Sequence, residues 1–127
     1  MPFLRHPTVI LLARITFALA VVMTLTFALL PKPPALPIDR FGDKFEHMLA
    51  FGTLASVATL AFPKAAPWRI AERLSFFGAL IEVAQSMPII RRDCDFRDWI
   101  ADTIAVVAVA AIVSLVLPRL RREAAVD

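Results

Sequence analysis

The sequence predicts an all-α fold, a polytopic membrane protein in which four transmembrane helices form one bundle. Apolar residues make up 59% of the 127 residues, and the mean hydropathy is +0.72, whereas soluble domains are about 45–50% apolar. Four apolar segments follow one another, and most of the 10 prolines lie beside them, where a residue that breaks helices marks an end. Residues 1–127 form one domain on length alone.

The first segment, residues 9–30, carries a single charge, Arg14. As a helix it extends roughly 33 Å, enough for a hydrocarbon core of ~30 Å. A cleaved signal peptide is the alternative. Arg14 would divide its apolar region, and no small-x-small site precedes the proline-rich stretch, so we favour a membrane helix. Residues 31–42 form an extended linker.

The second helix is predicted over residues 43–62. Asp43 and Glu46 at its start fit an N-terminal capping box. The third helix, over residues 68–87, is the least apolar.

The fourth helix is predicted over residues 98–117. It is rich in Val and Ala, which suits close helix packing, and Pro118 is expected to end it. The 14 Lys and Arg divide into eight on the side of the termini and six on the other. This bias favours cytoplasmic termini.

A polar constellation is predicted at one membrane face, where helix two begins, helix three ends and helix four begins. Helical spacing places the polar residues of each segment on one stripe. Turning these stripes to lipid is costly, so we expect them to face one another. The candidate site residues are Asp43, Lys44, His47, Glu82, Gln85, Arg92, Asp95, Asp98 and Asp102.

Glu82 leaves two interpretations open. It either forms a salt bridge with Lys44, Arg91 or Arg92, or serves as a protonatable group in a pocket. A metal site made by Asp43, His47, Glu82 and Asp98 is possible on ligand type. No tight ligand spacing supports it, so we predict neither a metal nor a cofactor. The sequence has no G-x-S-x-G, Walker, H-E-x-x-H or paired CxxC motif.

Three motifs in this order resemble the VanZ-like family of small bacterial membrane proteins. They are Asp43-Lys44-x-x-His47, Glu82-x-x-Gln85, and an arginine followed by Asp98 and Asp102. Arg91 and Arg92 both qualify as the arginine, and spacing favours Arg92. The resemblance covers residues 43–111. It implies a single VanZ-like domain, multi-pass in the bacterial inner membrane, in a family named after a member linked to resistance to teicoplanin-type glycopeptides.

The favoured hypothesis is binding of an amphiphilic envelope ligand, a lipid or lipid-linked precursor. Lys44 and Arg92 would hold an anionic head group, while Glu82, His47 and Asp98 handle protons or orient the ligand. The first alternative is a hydrolase or transferase acting on a lipid-linked substrate, with His47 or Glu82 as general base. The second is a non-catalytic structural or assembly partner. Membrane lipids are the expected partners, and the basic charge does not indicate nucleic acid.

Overall fold

Four α-helices form the fold, which confirms the predicted all-α class. The computed structural model describes residues 2–123 and the side chains of residues 4–119, and that part of the chain contains no strand. Short 3₁₀ turns at Pro2–Arg5, Pro37–Phe41 and Pro88–Ile90 lie between or before the helices. The helices are α1 (Pro7–Leu29), α2 (Asp43–Ala61), α3 (Pro67–Gln85) and α4 (Phe96–Glu123).

The start of α2 differs from the prediction. Gly42 is the N-cap, at φ 95° and ψ 157°, a conformation open almost only to glycine. No side chain caps the helix, so the predicted capping box is wrong. Asp43 is instead the first helical residue, where its negative charge suits the helix dipole.

The end of α4 also differs from the prediction, because the helix continues through Pro118 to Glu123. Proline removes only one backbone donor, and a helix can pass beyond it where neighbouring groups adjust. The prediction that Pro118 ends the helix is therefore wrong. The other helix ends lie within two residues of the predicted ones.

Within the described residues, two helices are long and apolar enough to cross a membrane. They are Pro7–Leu29, with a mean hydropathy of 2.2, and Phe96–Arg119, with 2.6. α2 and α3 have 19 residues each, so each extends about 28 Å. Polar side chains at the start of α2 and at both ends of α3 make these two helices less apolar than α1 and α4.

The core lies between α2, α3 and α4. Its largest apolar members are Phe51, Leu54 and Val106, each at most 2% exposed. Alanines such as Ala58 and Ala110 line the contacts and let the backbones approach closely. α1 lies outside this core, and none of its described side chains is buried.

Polar contacts attach α1 to the bundle at both of its ends. Near its start, Arg14 Nε donates to the carbonyl of Ala61 at 3.1 Å. Near its end, Gln85 Nε2 donates to the carbonyl of Ala28 at 2.9 Å. These hydrogen bonds help to fix where α1 packs against the bundle.

Candidate functional site

Lys44, in the first turn of α2, is the centre of a cluster of acids. Its Nζ donates to Asp98 of α4 and, at 3.1 Å, to Asp95 in the loop before α4. The Asp43 carboxylate lies 3.6 Å from the same nitrogen. The Asp98 side chain is 8% exposed and that of Lys44 44%, so the ammonium connects a buried carboxylate to the solvent-facing edge of the cluster.

His47, one turn further along α2, faces carboxylates on both sides of its ring. Nδ1 lies 2.9 Å from Asp102 Oδ1, and Nε2 lies 3.5 Å from Asp98 Oδ2 and 3.9 Å from Asp43 Oδ1. An ionised carboxylate only accepts hydrogen bonds, so Nδ1 donates to Asp102. Asp102 is 1% exposed, so its carboxylate is held in place by the surrounding residues. The hydrogen bond to this carboxylate fixes the orientation of the imidazole ring.

Gly78 of α3 makes room for the Asp102 carboxylate. A Cβ atom at this position would lie 3.0 Å from Asp102 Oδ2 and 3.3 Å from the ring of Phe51. The missing side chain lets α4 place a carboxylate directly against α3. Sequence reasoning missed this role, although Gly78 lies one turn before Glu82 on the same face of the helix.

Glu82, near the end of α3, has no ion-pair partner among the described residues. Its Oε2 accepts from the backbone N–H of Asp95 at 3.1 Å and from the Cys94 thiol at 3.5 Å. The salt bridge to Lys44, Arg91 or Arg92 is thus not formed, because the loop before α4 covers this carboxylate with neutral donors. Cys94 carried no recognisable signal in the sequence.

Two buried oxygen atoms on α3 lack a hydrogen-bond partner within the described part of the chain. They are Glu82 Oε1 and Gln85 Oε1, on side chains of residues only 6% and 2% exposed. Glu82 and Gln85 are three residues apart, so both acceptors lie on one face of α3. Leaving a buried acceptor unsatisfied costs about 1–3 kcal/mol, so both oxygens favour a group that brings N–H or O–H donors.

Arg92 contacts the chain just beyond α1. Its Nη1 donates to the carbonyl of Leu30, just beyond α1, at 3.3 Å. The preceding Arg91 has a left-handed conformation, with φ 54°, and the loop turns there. The predicted pairing of Lys44 and Arg92 around one head group stays a prediction, since Arg92 contacts the end of α1 and Lys44 contacts Asp95 and Asp98.

The loop before α4 carries two groups with shifted pKa values. The backbone N–H of Arg97 and the ammonium of Lys44 hold the pKa of Asp95 below its usual range. Desolvation raises the pKa of the Cys94 thiol, and the hydrogen bond to Glu82 raises it further. Asp95 is therefore held as a carboxylate and Cys94 as a neutral thiol.

We call the seven residues Asp43, Lys44, His47, Glu82, Asp95, Asp98 and Asp102 the acidic cluster. It combines five carboxyl groups with one ammonium group and one imidazole, so negative charge is in excess. Cationic groups and hydrogen-bond donors suit such a site, and anions do not.

Three members of the acidic cluster could hold a metal ion. Asp43, His47 and Asp98 offer ligand atoms within 4.8 Å of one another, and a carboxylate behind the histidine, as Asp102 provides, is common around metal sites. However, Lys44 already binds Asp98 and lies close to Asp43. A divalent cation would have to compete with this ammonium group.

Comparison of the chain with protein-family models, with curated proteins and with solved structures found no match. The VanZ-like resemblance therefore stays a prediction from the motifs.

Proposed function

We propose that this protein is a multi-pass, VanZ-like membrane protein whose acidic cluster binds the head group of an amphiphilic envelope ligand. The head group would carry N–H or O–H donors, such as an ammonium group or sugar hydroxyls. The observation that carries this proposal is the pair of buried, unpartnered acceptors, Glu82 Oε1 and Gln85 Oε1. Glu82 belongs to the acidic cluster, which already has an excess of carboxylates, and Gln85 lies three residues further along α3.

The exposed surface supports the membrane setting. Large apolar side chains such as Leu12, Leu19 and Val22 on α1 are 58–65% exposed, and α4 exposes others. A soluble monomer rarely shows apolar surface on this scale. α2 and α3, at about 28 Å, are long enough to cross with them. Four crossings would place both termini on one side, and the Lys and Arg bias of the sequence favours the cytoplasmic side.

The position of the acidic cluster suits a ligand that reaches it from the membrane surface. Asp43 and Lys44, at the start of α2, have side chains 61% and 44% exposed, while Asp98 in the first turn of α4 and Asp102 one turn further along are buried. A head group entering from the interface would meet Lys44 and Asp95 first and the buried acceptors on α3 next. Its apolar chains would stay in the surrounding lipid.

The charge balance changes the type of head group that we propose. The sequence alone suggested an anion held by Lys44 and Arg92. Lys44 already donates hydrogen bonds to Asp95 and Asp98, and Arg92 donates one to the carbonyl of Leu30, just beyond α1. An added anion would face several carboxylates, whereas an added ammonium group would satisfy them.

The bond between His47 and Asp102 is also the arrangement that orients a general base in many enzymes. A base must have a free nitrogen facing a reacting atom. Here Nε2 of His47 faces the carboxylates of Asp43 and Asp98, which suit a protonated Nε2 and so leave no lone pair there to take a proton from a reacting group. The geometry therefore supports binding better than a hydrolase or transferase.

Matched lipids test this proposal. Phosphatidylethanolamine and phosphatidylcholine are both zwitterions, but only the first has N–H donors on its nitrogen. We expect the detergent-purified protein to bind phosphatidylethanolamine about tenfold more tightly by native mass spectrometry, since a hydrogen bond between charged groups contributes about 1.5–3 kcal/mol. The N-methyl and N,N-dimethyl lipids should fall in between.

The variant Glu82→Gln should bring the two affinities within twofold of each other, because it removes the charge that holds the ammonium group. Glu72→Gln is the matched control, since Glu72 is an exposed glutamate on the same helix and should leave the preference unchanged. Equal binding of both lipids by the native protein would refute the proposal. A higher melting temperature of Glu82→Gln without a change in lipid preference would indicate a purely structural cluster.

A further inference from the structure

A second polar feature lies at the opposite end of the bundle from the acidic cluster. A groove of about 690 Å³ runs between α1, the connection from α2 to α3, and α3. Its size lies within the range of ~300–1,000 Å³ that is usual for small-molecule sites. It is lined at its mouth by Lys64, Arg69 and Arg73, and deeper by Phe17, Val21 and Phe77.

The three cations, which we call the basic mouth, are exposed and have no ion-pair partner within the described range. Arg69 and Arg73 are four residues apart, so both project from one face of α3. Lys64 approaches from the connection between α2 and α3. The nearest acid in sequence, Glu72, does not line the groove. The mouth therefore offers three positive charges that nothing in the described chain neutralises.

The interior of the groove is apolar. Phe77 lies one turn beyond Arg73, about 6 Å further along α3, and Phe17 and Val21 of α1 form the facing wall. Buried Ile70 and Leu74 close the floor. The lining of the groove therefore changes from charged to apolar within one turn of α3, in the direction of the membrane interior.

We propose that this groove binds one anionic phospholipid from the leaflet opposite the acidic cluster. Its phosphate would contact the basic mouth, and one acyl chain would follow the apolar walls. Basic pockets between membrane helices suit anionic head groups by charge complementarity. This inference rests on the membrane setting of the proposed function, and it is independent of which ligand the acidic cluster binds.

Other occupants fit less well. Free phosphate would use the mouth and leave the apolar walls unfilled. A second copy of the chain would bring a second basic mouth close to the first, and like charges repel. A lipid with a negative head group fits both parts of the groove, because its head group would contact the basic mouth and its acyl chain would contact the apolar walls.

Tryptophan quenching tests the proposal, because Trp68 lies directly before Arg69. The Trp99→Phe variant, which leaves Trp68 as the only tryptophan, would be reconstituted in phosphatidylcholine vesicles. Bromine-labelled phosphatidylglycerol should quench Trp68 at lower mole fractions than bromine-labelled phosphatidylcholine. Each arginine should account for about fivefold of this preference, so Arg69→Gln/Arg73→Gln should nearly abolish it.

Two further variants separate binding within the groove from a general attraction of anionic lipids to surface arginines. Arg40→Gln/Arg97→Gln removes two exposed arginines at the other end of the bundle and should keep the preference. Ala65→Leu adds bulk to the groove lining without changing charge and should weaken the preference. If Arg69→Gln/Arg73→Gln weakens the preference for phosphatidylglycerol and Ala65→Leu does not, the lipid is attracted only to the charged surface. The proposal that it binds in the groove is then overturned.

The proposal is also overturned if both brominated lipids quench Trp68 equally while Arg69 and Arg73 are present. It is overturned as well if millimolar inorganic phosphate removes the preference for phosphatidylglycerol. A preference for phosphatidylglycerol without a preference for phosphatidylethanolamine would refute the acidic-cluster proposal alone. Failure of the protein to stay in the vesicles would refute both proposals together.

Discussion

Gly78→Val should lower the stability of the protein by about 3 kcal/mol, at the upper end of the 1–3 kcal/mol typical of overpacked cores. Even a Cβ atom at this position lies 3.0 Å from Asp102 Oδ2 and 3.3 Å from the ring of Phe51. Valine adds two methyl groups, so the Asp102 carboxylate must move away from α3. Its hydrogen bond to His47 then weakens, and thermal unfolding in detergent micelles should show the loss.

Gly52→Val is the matched control for this substitution. Gly52 lies in the middle of α2, and nothing in the described structure lies within 4 Å of a Cβ atom there. Valine also has a better helix propensity than glycine. Gly52→Val should therefore leave the melting temperature unchanged or raise it. Equal losses at both positions would show that α3 and α4 do not meet closely at Gly78.

Lys44→Met should destabilise the protein by about 2 kcal/mol at neutral pH. Exposed ion pairs contribute about 0–1 kcal/mol, and removing one partner of a buried pair costs about 3–5 kcal/mol. Lys44 is 44% exposed and Asp98 is 8% exposed, so an intermediate value follows. Without the ammonium group, the neighbouring carboxylates repel one another.

The effect of Lys44→Met should depend on pH. Lys44 helps to hold the pKa of Asp95 below its ordinary value of 3.8. A lowered pKa in the folded state stabilises the fold above the ordinary value, and this stabilisation is lost as the pH falls through the lowered value. The difference between native protein and variant should be complete above about pH 5 and shrink at lower pH.

Lys32→Met is the control for this series, because Lys32 is an exposed lysine in the linker between α1 and α2. It should change stability by less than about 0.5 kcal/mol. Lys44→Met/Asp98→Asn should recover part of the loss, since it removes one of the repelling carboxylates. A Lys44→Met protein as stable as the native one at neutral pH would mean that the acids do not depend on this cation.

Helical spacing was enough to predict part of the site. Asp43 and His47 are four residues apart, and both lie close to Asp98, as residues on one helix face should. The partner of each group was harder to predict. Glu82 is covered by the backbone of Asp95, a contact set by the path of the loop rather than by any periodicity.

Features that depend on distances between helices were missed for the same reason. Gly78 matters because α3 and α4 approach closely, and the groove beside Arg69 depends on how α1 packs against α2 and α3. Two predictions made from local sequence rules were also wrong. Gly42 replaces the expected capping box, and α4 continues through Pro118.

We propose that the acidic cluster and the basic mouth lie on opposite sides of a membrane, which requires the least apolar helix, α3, to cross it. Cys94 is the only cysteine, is exposed and lies beside the acidic cluster. A second protein, Cys94→Ser/Ala66→Cys, places an exposed cysteine at the other end of α3.

Labelling of intact cells with a membrane-impermeant maleimide tests this claim most directly. Because the pKa of the Cys94 thiol is raised, labelling is best done under mildly alkaline conditions. We expect Cys94 to react from outside and the cysteine at position 66 to react only after the cells are permeabilised. Reaction of both cysteines from the same side would contradict the account, because α3 would then not cross the membrane.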